Sequence, residues 1–336
     1  MRRPTLKDVA EATGYSVSTV SRALAGSPQI SEPTRRRVGA VARRLGYQAD
    51  PIGALLRTPR PRVLGLLCRL DQELHVVYRD HLLAQAEAHG LRLVTESVGP
   101  LRGAGEAIDN LLRLRCQTLI IIDPATVAQA EPALLEGAVT IGQQRPVAAS
   151  DLVTSDNSEG MAQLVDHLRG LGHRRAVYID STPGVSADAR RRAFQEAAGR
   201  AGLAFHIVPG GADVDSGLAA LTPLLDRAGL LRPAPGREPC TAVVCYNDQC
   251  AQGVIIAALR AGLRPGADLS VAGVDNSRLA ASAAFDLTSI DRSPADVARL
   301  AVELAGARVE SEAREPVSRT VGTALVPRSS TGPARR

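Results

Sequence analysis

At 336 residues with 45% hydrophobic content, the chain is long enough for two or three domains with buried cores. No stretch reaches the roughly 18 apolar residues of a membrane span, and the start reads as a capped helix rather than a signal sequence, so no membrane partner and a cytoplasmic location are expected. The net charge of +5 is unevenly placed: residues 1–62 carry 12 Lys+Arg against 4 Asp+Glu, the remainder 28 against 31, which puts any phosphate-contacting surface at the N-terminal end.

That end opens with TLKDVAEATGYSVSTVSR, from Thr5 to Arg22. Thr5 and Asp8 have capping-box spacing, and Leu6, Val9 and Ala10 recur at helical period. Gly14 supplies a left-handed residue to end the first helix. Ser16 caps a second helix, with Val20 and Leu24 facing inward. Two short helices joined by a glycine turn form a helix-turn-helix, whose second helix leads into the DNA major groove. Val17, Ser18 and Arg22 then become base-reading candidates, because arginine bonds bidentately to guanine. Thr5, Ser16, Thr19, Ser21, Ser31 and Thr34 sit at helix starts or beside that face and are candidates for phosphate contact. Ser31 is expected to cap a third helix with Val38, Val41 and Leu45 inside. Asp50-Pro51 then reads as an N-cap and first-turn proline of a short helix.

From Arg62 the pattern changes. Apolar runs at 63–68, 91–94, 118–123, 139–141 and 152–154 read as strands, with helices at about 76–89 and 104–114. The alternation restarts: helix 160–170, strand 176–180, helix 187–201, strand 205–208, helix 216–228, strand 242–245, helix 249–261 and strand 269–274. Such alternation predicts two parallel, doubly wound sheets, with ligands beyond the carboxyl ends of the strands.

TLKDVA, VSTVSRAL, ISEPTRRRV and LGYQADPIGALLRT, followed by TSDNSEG, LGHRR, ADARRRAF, VVCYNDQCAQG, GLRPGADLSVAGVDN and LTSIDR, resemble the LacI/GalR family of transcription regulators in order and spacing. The resemblance spans nearly the whole chain. It implies a helix-turn-helix head at 1–47, a hinge helix and linker at 48–61, and a periplasmic-binding-protein-like body at 62–336. That body would divide into subdomains of 62–155 with 291–320 and of 156–290 with 321–328. It implies that Leu56 wedges into the operator minor groove, and that Arg190, Asn247 and Asp275 bind a small-molecule effector; Gln143, past the fourth strand, joins them as a strand-end candidate. A guanidinium, an amide and a carboxylate suit the hydroxyls of a sugar or polyol; a nucleoside or purine is the alternative. Asp248 reads either as a ligand or as a cap of the next helix. Two departures stand out. Gly142-Gln143-Gln144 replaces an aspartate common in the family, and Val214 falls where some relatives have tryptophan. Tyr78, Phe194 and Tyr246 are the substitute aromatics.

The expected protein is a homodimeric, effector-switched repressor that binds double-stranded operator DNA, with no cofactor, metal or catalytic residue. The tail, PRSSTGPARR, lacks the heptads of a tetramer-forming coiled coil. Cys68, Cys116, Cys240, Cys245 and Cys250 have no zinc-site spacing. An enzyme is disfavoured because Lys7 is the only lysine and no GxSxG elbow is present. An exported sugar-binding protein would carry a signal sequence and no DNA head.

Overall fold

The structure, a computed structural model, describes residues 4–47, 61–225, 231, 239–311 and 314–334. It forms two compact units, Met1–Pro61 and Arg62–Arg336.

The first unit holds α1 (Leu6–Thr13), α2 (Val17–Leu24) and α3 (Glu32–Leu45). The Thr5–Asp8 capping box forms: Thr5 N–H donates to Asp8 Oδ2 at 2.6 Å, and Asp8 N–H donates to the Thr5 hydroxyl at 3.4 Å. Gly14 takes φ 75°, as the tight turn demands. Ser16 accepts from Thr19 N–H at 3.1 Å and starts α2. Val9, Val20 and Val38, one from each helix, are fully buried together with Ala10, Ala23 and Ala42. Ser31 stands at the N-cap of α3, but its hydroxyl meets the Thr34 hydroxyl at 2.9 Å and makes no bond to a helix amide.

The second unit contains two six-stranded sheets. The first runs β11-β5-β4-β3-β1-β2, all parallel. Its strands are β1 (Val63–Cys68), β2 (Arg92–Ser97), β3 (Thr118–Ile122), β4 (Val139–Ile141), β5 (Asp151–Ser155) and β11 (Ser318–Val321). The second runs β12-β10-β9-β8-β6-β7, with only β12 antiparallel. Its strands are β6 (Arg175–Ile179), β7 (Ala204–Val208), β8 (Ala242–Cys245), β9 (Ser270–Val274), β10 (Thr288–Asp291) and β12 (Ala324–Val326). Both sheets therefore share one winding order, with the second strand formed at one edge and the third on the far side of the first.

Helices cover both faces. In the first lobe α4 (Glu73–Ala88) and α10 (Pro294–Glu310) pack on Leu64, Leu66, Ile120 and Ile122. α5 (Ala104–Arg113) lies on the opposite face, so close that a side chain at Gly65 would strike Leu111 and Leu119. In the second lobe α6 (Asn157–Gly170) and α7 (Val185–Ala201) cover Tyr178, Val244 and Ala272, while α8 (Val214–Leu221) and α9 (Asp248–Arg260) cover Val177, Val243 and Val271. α8 and α9 pack at Gly217 and Gly253, where any Cβ would meet the other helix's backbone.

The chain passes between lobes three times, after β5, after β10 and after β11. β10, α10, β11 and β12 are elements that the periodicity of the sequence does not separate. The helix read at 216–228 is shorter, ending at Leu221 and continuing as a 3-10 turn to Leu225. The polar tail is built into the second lobe: Val271 N–H donates to Ser330 O, and Gly332 N–H to the Ser270 hydroxyl. No helix among the described residues is long and apolar enough to cross a membrane.

Candidate functional site

In the head, Val17, Ser18 and Arg22 lie exposed on α2, with Val17 47% accessible despite its apolar side chain. An apolar side chain at this position of a helix in the major groove can meet a thymine methyl. Thr5, Ser16 and Ser31 are exposed, and Thr19, Ser21 and Thr34 half-buried. Ser16 also lies 2.9 Å from the Ser18 hydroxyl and 2.8 Å from that of Thr19. Leu56 lies outside the described residues.

In the body, a cavity of about 430 Å³ opens where the carboxyl ends of the two sheets face each other. That volume falls among small-molecule pockets. Much of its polar lining comes from strand ends: Arg69 after β1, Asp123 after β3, Ser155 closing β5, Tyr246 after β8, Asp275 after β9 and Arg292 after β10. A parallel sheet puts all its strand exits on one edge, so alternation in the sequence becomes a ring of side chains.

Arg190 and Asp275 meet there. Arg190 Nη2 donates to Asp275 Oδ1 at 3.0 Å, and Nη1 donates to Tyr246 O at 2.7 Å. The guanidinium carbon lies 4.4 Å from the centre of the Tyr246 ring, a cation–π contact. Arg292 Nη1 approaches the same Asp275 oxygen at 3.8 Å. Burial pushes the Asp275 carboxyl up, against the pull of Arg190 and then Arg292. Asp275 and its neighbour Asn276 have positive φ, 111° and 48°. A non-glycine pair held in that region marks a backbone aimed by its surroundings.

Asn247 lines the cavity, yet its side chain is committed. Oδ1 accepts from Cys250 N–H at 2.9 Å to cap α9, and Nδ2 donates to Ala212 O at 2.9 Å. Asn247, not Asp248, is thus the cap. Asp248 sits behind the cavity wall, accepting from Ser277 N–H and from the Ser289 hydroxyl. Gln143 lies outside the lining. Its Nε2 donates to Ser155 O at 3.2 Å and its Oε1 accepts from Asn157 at 2.9 Å, which ties β4 to the first crossing between lobes. Of the substitute aromatics, Tyr78 and Tyr246 line the cavity. Phe194 instead stacks on Tyr178 in the core, 4.8 Å between centroids.

Of the first lobe's share of the lining, sequence reasoning names only Tyr78. His75 accepts from Arg69 N–H through Nδ1 at 3.0 Å, and burial lowers its pKa to about 4, so the ring is neutral with Nε2 carrying the proton. Applying the strand-end rule to the strands read at 63–68 and 118–123 would have found Arg69 and Asp123, whereas Arg292 follows β10, a strand that the sequence pattern does not separate. Across the mouth the lobes also touch directly. Glu73 N–H donates to Gln249 Oε1 at 3.1 Å, and Arg278 pairs with Asp80 at 2.6 Å.

A DNA-reading helical head and a two-lobed α/β body around a small-molecule cavity define a ligand-binding transcription regulator. Comparison with known proteins gives the family. The profile of bacterial regulatory proteins of the lacI family matches residues 5–50, and that of the periplasmic binding protein-like domain matches residues 165–331. The transcriptional regulator GalS of Salmonella typhimurium is 30% identical over 312 residues, 90% of this chain and 88% of its own. GalR of Escherichia coli is 26% identical over 97% of this chain and 95% of its own. Among solved structures, the Lac repressor dimer bound to operator and the anti-inducer ONPF superposes with a TM-score of 0.79, at 25% identity, over 98% of this chain and 100% of that one. The chain belongs to the LacI family of DNA-binding transcription regulators.

Proposed function

We propose that this protein is a homodimeric repressor whose operator affinity is switched by a small polar effector of the sugar or polyol class, bound between the two lobes of the body. The observation that carries the proposal is the ring of polar residues from both sheets around one cavity, in a chain that also bears a DNA head. A ligand there touches both lobes and favours one relative orientation of them. It can shift that equilibrium only by its differential affinity for the two states, typically about 1–3 kcal/mol. Arg22, Val17 and Ser18 read bases; Thr5, Ser16, Thr19, Ser21, Ser31 and Thr34 supply phosphate contacts; Leu56 is assigned the minor-groove wedge on its sequence resemblance alone. Two heads of a dimer match two half-sites of a near-palindromic operator. Gln143 changes role: its committed amide makes it a strut at the crossing between lobes, not an effector ligand.

The test is titration of the gene's own upstream DNA with the purified chain, with and without a panel of sugars and polyols. Sequence-specific binding that at least one member shifts supports the proposal. Specific binding that no cavity ligand can shift would leave a DNA-binding protein without the switch.

A further inference from the structure

The cavity has two electrically different ends. At its buried end stand Arg190, Arg292 and Asp275, which are 4%, 6% and 8% exposed. Two guanidinium groups thus share one carboxylate, and both lean on the same oxygen, Oδ1. Three buried polar atoms at this end lack a hydrogen-bond partner among the described residues: Arg190 Nε, Arg292 Nε and the Tyr78 hydroxyl. They come from α7, from the turn after β10 and from α4, and all three residues line the cavity. Two of the three atoms can only donate, and the neutral His75 offers a further N–H from the first lobe. Behind Asp275, burial and then Asp275 itself push the Asp248 carboxyl up, and its two oxygens are occupied by Ser277 N–H and the Ser289 hydroxyl. Leaving several buried donors unpaired is costly, and an anion is the group that satisfies the most donors at once.

The other lining carboxylates are more exposed than Asp275, and Asp123 also acts on His75 and Tyr246. Asp71 is paired with Arg69 at 2.6 Å. Asp213 caps α8 through Oδ1, accepting from Ser216 N–H at 2.8 Å. Half-buried Asp123 accepts from Ala125 N–H at 2.9 Å. These accept hydrogen bonds and suit hydroxyl donors.

Resting on the effector-site proposal above, we infer that the effector is an anionic sugar derivative, with its carboxylate or phosphate between Arg190, Arg292 and Tyr78 and its hydroxyls toward Asp123 and Asp213. Such an anion would span both lobes, touching α4 of the first and α7 of the second. A neutral sugar presents hydroxyls that must both donate and accept at an end where donors are in excess.

The test is calorimetric titration of the full-length protein with matched pairs: glucose against gluconate, galactose against galacturonate, and glucose and ribose against their terminal phosphates. The charged member of at least one pair should bind tenfold or more tightly than its neutral partner. Carboxylate and phosphate arms identify which anion is read. Arg292→Gln should lower the ratio of charged-ligand to neutral-ligand affinity at least tenfold. Arg292→Lys, which keeps the charge but not the planar fork, should restore part of the loss. A thermal melt of each variant checks that it is folded. Neutral members that bind as tightly as their acids would overturn the inference and leave the effector site standing. Failure of every charged member to bind at about 10 mM would also overturn it. Failure of the site itself would show differently, as operator binding that no ligand of any charge can shift.

Discussion

Replacing Arg190 by alanine should damage the body as well as the ligand site. The side chain holds Asp275 at 3.0 Å and Tyr246 O at 2.7 Å, and both Arg190 and Asp275 are less than one-tenth exposed. Without it Asp275 keeps, among the described residues, only Arg292, at 3.8 Å. Removing one partner of a buried pair costs about 3–5 kcal/mol, because the other charge is left stranded. For an α/β unit of this size that should lower the melting temperature by roughly 6–20 °C. Effector response should be lost or sharply weakened, since the hydrogen bond that Arg190 Nε has free to give, about 1.5–3 kcal/mol for a charged donor, is a factor of roughly 10–150 in affinity. The triple substitution Arg190→Met, Asp275→Leu and Arg292→Met separates the two effects. It removes the whole buried charge cluster, Arg292 included, and such apolar replacements are often neutral in stability. Urea unfolding should therefore show the triple variant more stable than Arg190→Ala, while operator titration shows both blind to effector. Strict additivity of the single losses, or a normal effector response in Arg190→Ala, would refute the reasoning.

Three further outcomes follow from the same geometry. Arg22→Ala should lose about 1–3 kcal/mol of discrimination at one base pair of each half-site; selection of binding sites from randomised DNA should show that position relaxed and the others kept. The His75 imidazole titrates at about 4 in the fold, held down by burial, against 6.5 for an ordinary histidine. Below pH 6.5 the unfolded ring takes up a proton that the folded ring refuses, so stability falls as pH drops from 6.5 towards 4, by up to about 3 kcal/mol; the difference in unfolding free energy between wild type and His75→Asn should shrink over that window, and a constant difference from pH 7.5 to 4.5 would count against it. Arg278 and Asp80 form an ion pair between the lobes that is largely in water, with side-chain exposures of 75% and 35%. Such pairs contribute about 0–1 kcal/mol, so Arg278→Ala should weaken effector binding by no more than about fivefold in calorimetry, and a loss near a hundredfold would mean that this contact governs closure.

Local rules made the head legible. Capping spacing, a glycine turn and one apolar stripe per helix suffice to place Thr5, Gly14, Ser16 and Val20. Alternation likewise exposes the strands, because a parallel strand buried on both faces is a short apolar run. α10 is harder to see because Ala298, Ala301 and Ala305, all at 0% exposure, and the buried Arg308 dilute the stripe formed by Val297, Val302, Leu304 and Val309. The strand-end rule locates Arg190's neighbourhood and Asp275 but does not say which polar atoms are already spent. Gln143 and Asn247 satisfy that rule equally well, yet their amides serve the crossing between lobes and the α9 cap. Arg292 becomes visible only when β10 is known to end beside β9, a pairing between segments the sequence separates.

Fluorescence anisotropy on labelled upstream DNA, at about 0.15 M salt, tests the central claim most directly. Binding should be at least about 10³-fold tighter than to scrambled DNA, and one ligand of the cavity should shift the apparent Kd by about 5–150-fold. Binding indifferent to sequence, or specific binding that no ligand of the cavity alters, would contradict it.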